Sequence, residues 1–135
     1  MISDRIIKYA RECIGTPFMH QGRVVGIGLD CAGVVAHALS RAGIVYSDVK
    51  GYTRTPFRGL LQETLERQSC LLRVAIAEKS AGDILLMRFM GEPQHVAVYS
   101  GMTIIHGYFG SGKVVEHPLD SKWLRRISGV YRVIE

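Results

Sequence analysis

The spacing of apolar residues changes once along this chain, near residue 70. Before that point they recur three and four positions apart: Ile6, Ile7, Ala10 and Ile14 in one segment, then Val34, Val35, Ala38, Leu39 and Ala42 in another. That is the spacing of one face of a helix. After it, residues 71–76, 83–89, 95–99, 103–106 and 113–117 form short runs rich in β-branched side chains, separated by Gly, Pro and Ser. Such runs predict strands joined by turns. Helices first and an antiparallel sheet afterwards make an α+β fold.

Local signals set the expected boundaries. Ser3 is placed to cap a helix over 4–13, and the GTP at 15–17 ends it. Residues 18–29 read as a glycine-rich loop, and a second helix over 31–42 closes at Gly43. Residues 46–55 look irregular, and Thr55-Pro56 opens a third helix running to about residue 68. SKWLRRI reads as one helical turn and GVYRVIE as a last strand. The 135 residues contain no repeat or linker and suit one domain over 1–135.

Composition removes several function classes. No apolar run approaches the roughly 18 residues needed to span a bilayer. The first 15 residues, MISDRIIKYARECIG, lack the apolar core and cleavage site of a signal peptide, so synthesis in the cytoplasm is expected. Seventeen Lys and Arg against twelve Asp and Glu leave a net charge of +5, which favours anionic partners. The charges are scattered without an aromatic-interleaved basic stripe, so neither nucleic acid nor membrane is an expected partner. Three cysteines without CxxC spacing leave at least one free thiol.

The stretch GLDCAGVVAHAL, residues 28–39, carries the first chemical signal. Asp30 caps the second helix and puts Cys31 in its first turn, where the partial positive charge of the helix N-terminus favours thiolate over thiol. A buried structural cysteine has the same pattern. Cys13 and Cys70 read as small core residues. A nucleophilic cysteine needs a base, and the base needs an orienting partner. In QHVAVYSG, His95, Ala97 and Tyr99 share one strand face, and the next strand, MTIIHGYF, brings His106. A hairpin tip at Ser100-Gly101 puts His95 opposite His106. His37 and His117 read as solvent residues. Spacing alone does not show that Cys31 meets the histidines, and a three-ligand zinc site of Cys31, His95 and His106 is a competing arrangement.

GTPF, HQGR, GLDCAGVV, AGDILLM, QHVAVYSG and IIHGY occur in the order found in the NlpC family of papain-like cell-wall cysteine peptidases, and the resemblance runs from Ser3 to about Arg132. HQGR and the ending WLRRISGVYR look most like the branch found in phage tails and prophages. The resemblance implies a papain-like fold in which the nucleophile helix packs on a five- to six-stranded antiparallel sheet. It implies Cys31 as nucleophile, His95 as general base and His106 as its orienter, with the Cys31 N–H in the oxyanion hole and no metal or organic cofactor. The implied substrate is a peptidoglycan stem peptide, cut between D-glutamate and diaminopimelate, with phage tail proteins as partners and a tail as the route to the wall. Substrate contacts fall to Phe18, His20, Gln21 and Asp30, the last through a substrate amine, and the loop glycines would admit a substrate backbone. Phe18 and Ala32 stand where many cell-wall members have Tyr and Ser. A catalytically silent tail component and a lipid acyltransferase share the fold, although the acyltransferases usually carry an apolar membrane anchor.

Overall fold

The computed structural model describes residues 1–54 and 59–135. Among these described residues, four α-helices, α1 (Ile2–Arg11), α2 (Cys31–Arg41), α3 (Leu60–Glu66) and α4 (Ser121–Leu124), accompany eight strands. The strands are β1 (Arg23–Val24), β2 (Gly28–Leu29), β3 (Leu71–Val74), β4 (Ile84–Phe89), β5 (Glu92–Tyr99), β6 (Thr103–Tyr108), β7 (Lys113–Pro118) and β8 (Ile127–Val133). The last six form one antiparallel sheet in the order β3-β8-β4-β5-β6-β7. The expected α+β architecture is the one observed.

Each face of the sheet carries a core. Ile6, Ile7 and Ala10 of α1 and Val34, Val35, Ala38 and Leu39 of α2 pack on Ile84, Leu86, Val96, Val98, Ile105 and Val114. The opposite face gathers Leu85, Met87, Ala97, Ile104, Ile127 and Val130 beneath Trp123 of α4. The run ILLM in β4 is apolar at every position because this central strand is buried on both sides. Asp83, at the head of that strand, is 2% exposed and holds a two-pronged contact with Arg132, at 3.0 and 2.9 Å. The aspartate of AGDILLM thus serves as a structural tie between β4 and β8.

Several boundaries differ from those expected. Helix α1 starts at Ile2 with no side-chain cap, so Ser3 lies inside it, and Ile14 falls beyond its end and is exposed. The expected Thr55-Pro56 helix start lies outside the described residues. The glycine-rich loop contains the small hairpin β1–β2, too short to give a periodic signal.

The β5–β6 hairpin turns one residue later than expected. Its two-residue tip is Gly101-Met102, with Gly101 at φ 103°, and Ser100 pairs with Thr103 through a 2.9 Å backbone bond. The pairing therefore joins Val98 to Ile105 and Tyr99 to Ile104. His95 is not directly opposite His106, as a tip at Ser100-Gly101 required. A slip of two residues keeps every side chain on its face, so the two histidines become diagonal neighbours instead of direct ones.

Candidate active site

Three strands and one helix terminus converge here. The β5–β6 ladder covers only two residue pairs next to the turn; farther along, β5 pairs with β4 and β6 with β7. A bulge at Gln94, where Met87 pairs with His95 and Arg88 with Pro93, bends β5 just before the histidine. The N-terminus of α2 lies against Gly107 of β6, where a β-carbon would be 2.7 Å from the Asp30 carbonyl and 3.1 Å from the Cys31 nitrogen. Cys31 and His95 then line one cleft of about 350 Å³, together with Phe18, His20, Arg54 and Gln94. The structure brings nucleophile and base candidates to the same cavity.

His95 and His106 are 3% and 0% exposed, and His95 Nε2 lies 2.6 Å from His106 Nδ1. Phe89 stacks on the His95 ring at 4.6 Å and Tyr108 on the His106 ring at 5.3 Å, while Trp123 meets His106 edge-on at 5.1 Å. Asp120 positions Trp123 by capping α4 through the Trp123 N–H, at 3.0 Å. With Nε2 of His95 committed to His106, Nδ1 is the ring nitrogen left to serve the cleft. The pair is a hydrogen-bonded couple in its geometry. Two nitrogens on one zinc, each about 2.0–2.1 Å from the metal, would sit about 3.3 Å apart. Among the described residues no cluster of His, Cys, Asp or Glu has the geometry of a metal site.

The protonation states correct the expectation of a preformed thiolate. Burial pushes the Cys31 thiol up to about 12, the nearby Asp30 carboxylate adds to this, and the Val96 and Ala32 amides and Arg23 oppose it without prevailing. Burial and the charges of His106, Arg126 and His117 hold His95 well below the usual 6.5. Burial, then His117, brings His106 down to about 3. The resting site is a neutral thiol beside a neutral imidazole. Helix position predicted the opposite because it carries no information about desolvation.

These shifts predict acid sensitivity. An unfolded chain protonates His95 and His106 near 6.5, whereas the folded chain resists. The unfolded state therefore binds more protons below 6.5, and stability is full above that pH and lost as pH falls. Each histidine costs about 1.4 kcal/mol per pH unit below 6.5 until its folded value is reached. Glu66 and Glu116, held below 4.5, enter only at lower pH. Calorimetric Tm should be flat between pH 7 and 8 and fall between pH 6.5 and 4.5, with a shallower slope in His106→Gln. Equal Tm at pH 7.5 and 4.5 would contradict this assignment.

Asp30 is wired more fully than an N-cap requires. One carboxylate oxygen accepts from the Gly33 N–H at 2.8 Å and from Arg23 at 2.9 Å. The other accepts from the Gln21 N–H at 2.9 Å and from the Tyr52 hydroxyl. A substrate amine could reach Asp30 only by displacing one of these donors. Arg23 in turn grips Asp48, at 2.7 and 3.1 Å. Tyr52 was not legible as a site residue, since its contacts to Arg23 and Asp30 join segments 29 and 22 positions apart; Arg23 lies seven positions from Asp30, with no local signal to mark the pairing. Gln21 bonds Gly51 and Tyr52 at 3.0 Å and holds that loop instead of lining the cleft. His20 bonds the Tyr52 carbonyl at 3.0 Å and lines the cleft, and Phe18 lines it with its ring edge-on to Phe109.

Gly22 and Gly28 of the loop and Gly33 of α2 are needed for close packing. A β-carbon on Gly33 would be 2.3 Å from the Gly22 carbonyl oxygen, and one on Gly22 would be 2.5 Å from Gly28 backbone. The smallness of Gly22 and Gly33 seats the loop on α2, while Gly26 of the same loop has open space around its α-carbon. His117 is corrected too: it is half-buried, and its Nε2 lies 2.9 Å from His106 Nε2. Cys13 and Cys70 are buried as expected. No described helix is long and apolar enough to cross a membrane.

Comparisons with known proteins place this arrangement. Residues 15–132 match the NlpC/P60 family. Curated protein sequences give no match. A Staphylococcus aureus protein described as similar to a lipoprotein of the NLP/P60 family superposes with a TM-score of 0.73 at 21% identity, over 99% of this chain and 42% of that one. The peptidoglycan hydrolase RipB of Mycobacterium tuberculosis gives 0.73 at 22% identity, over 99% and 65%. The NlpC/p60 domain of the peptidoglycan hydrolase SagA gives 0.66 at 23%, over 95% and 96%. The chain thus spans less than two thirds of the first two proteins, and the likeness establishes the papain-like fold. A family match that runs from the glycine-rich loop through the last strand, on the fold those structures share, makes this chain a member of the NlpC/P60 family.

Proposed function

We propose that this chain is a cysteine peptidase that hydrolyses an amide bond in peptidoglycan stem peptides. The observation that carries the reading is the common cleft: Cys31 at the capped start of α2 and the bonded pair His95–His106 both belong to its wall or backing. The relatives described as peptidoglycan hydrolases support the substrate class.

The mechanism follows from the neutral resting pair. As Cys31 Sγ attacks the amide carbon, its proton passes to His95 Nδ1, so no thiolate is stored beforehand. The Cys31 N–H lies in the first helical turn, has no intrahelical carbonyl four residues back, and is left to face the developing oxyanion. The His95 imidazolium keeps its Nε2–H on His106 and returns the other proton to the leaving amine. That step breaks the C–N bond and leaves a thioester. Water then attacks the thioester with His95 again as base, releasing a carboxylic acid and the Cys31 thiol.

The finer reading takes the bond between D-glutamate and diaminopimelate as the target and a phage tail as the carrier that brings the domain to the wall. HQGR and WLRRISGVYR support the tail assignment; in this fold they supply the Asp30 brace and the Trp123 cover over the histidines. Muropeptides of differing stem chemistry, incubated with wild type and with Cys31→Ala and read by mass spectrometry, test both levels. A fragment seen only with wild type supports the peptidase and names the bond. No cleavage of any stem overturns it in favour of a structural tail component.

A further inference from the structure

The histidine pair continues into a third ring. His106 Nε2 lies 2.9 Å from His117 Nε2, and His117 Nδ1 lies 3.0 Å from the Pro118 carbonyl oxygen. Trp123 covers this junction, 5.1 Å from each of the two rings. We propose that His117 is a positioning residue for the hydrolysis, acting through His106 to set which nitrogen of His95 carries its proton; this rests on the proposed function above.

The Pro118 carbonyl oxygen has no choice of role. It only accepts, so the proton of His117 sits on Nδ1. A neutral imidazole has one N–H, which makes His117 Nε2 an acceptor. The facing His106 Nε2 must donate, so His106 Nδ1 accepts. The ring opposite it, His95, therefore carries its proton on Nε2. The lone pair of His95 is left on Nδ1, the nitrogen that must take the Cys31 proton. A single carbonyl thus orders three tautomers in series, ending at the base.

Without His117, the His106 proton loses its acceptor on Nε2 and can move to Nδ1. His95 must then accept there and carry its own proton on Nδ1, which removes the base. In a serine protease triad, a histidine held in the wrong tautomer lowers kcat by about 10⁴, which sets the upper limit here. A partial population of the wrong form gives less.

The test combines kinetics with ¹⁵N spectra of the histidine side chains at pH 8, where imidazoles are neutral. Wild type should show the proton on Nε2 of His95, on Nε2 of His106 and on Nδ1 of His117. His117→Ala should shift the His106 and His95 signals towards the other tautomer and lower kcat about tenfold or more, with KM little changed. His117→Gln, whose amide oxygen can accept from His106, should recover both. A wild-type His106 protonated on Nδ1 overturns the proposal, as does a His117→Ala variant with unchanged spectra. If wild type cleaves no stem peptide, the proposed function fails, while the spectra still decide the tautomer order.

Discussion

His95→Ala is expected to lower kcat for stem-peptide cleavage by on the order of 10⁴-fold or more, as is Cys31→Ala, because nucleophile and base act as a unit. Removing both should cost little beyond either alone. Cys31→Ala should leave the fold intact: alanine is the best helix former, and the Asp30 cap does not involve the thiol. Its Tm should stay within about 3 °C of wild type, a change under 1 kcal/mol. His106→Gln should lose less, about 10- to 100-fold, since a glutamine oxygen can still accept the His95 Nε2–H. Steady-state kinetics on a defined stem peptide reads wild type and the four variants. A larger loss in His106→Gln than in His95→Ala would mean that base and orienter have been exchanged. Full activity in Cys31→Ala would remove the nucleophile assignment.

Gly107→Ala should be the most damaging small change outside the reacting groups. The added β-carbon would meet Asp30 C and O at 2.7 Å and Cys31 N at 3.1 Å, and all three are backbone atoms that no rotamer change can move. Either α2 lifts from the sheet or β6 shifts away from it. Overpacking of this kind costs about 3 kcal/mol, which for a chain of this size lowers Tm by roughly 10 °C. Activity should fall further than stability explains, because a displacement of about 1 Å at a nucleophile can cost 10²-fold. Gly129→Ala is the comparison: its nearest neighbour would be the Tyr131 ring at 3.3 Å, a contact that asks for a shift of a few tenths of an ångström and displaces no backbone. Calorimetry and kinetics on the two variants should separate them clearly. A Gly107→Ala protein with wild-type Tm and rate would show that helix and strand are less tightly seated than this geometry requires.

Much of the framework was legible because it is written locally. The stripe of Val34, Val35, Ala38 and Leu39 marked α2 and its buried face, and Asp30 marked its start. Alternation in QHVAVY assigned Val96 and Val98 to one core and His95 and Ala97 to the other side. Even the misplaced hairpin tip kept His95 and His106 together, since an error of two residues preserves the face. Ser3 and Ile14 misled for a related reason: one apolar or capping residue near an end does not say which turn is the last.

By itself, the sequence determined the fold class, the two helices that flank the loop, the faces of the strands, and a cysteine at a helix start beside a histidine pair on a hairpin. Each of these depends on neighbours a few positions away, whereas the union of Cys31, His95 and His106 in one site was implied by the resemblance to a family. The tertiary structure decided what depends on distant neighbours: the neutral thiol, because burial is summed over the whole fold; the saturation of Asp30 by Arg23 and Tyr52; the packing use of Gly22, Gly28 and Gly33; and the placing of His117 behind His106. Desolvation and hydrogen-bond partners across the chain have no periodic trace in a sequence, so they become visible only when the chain closes on itself.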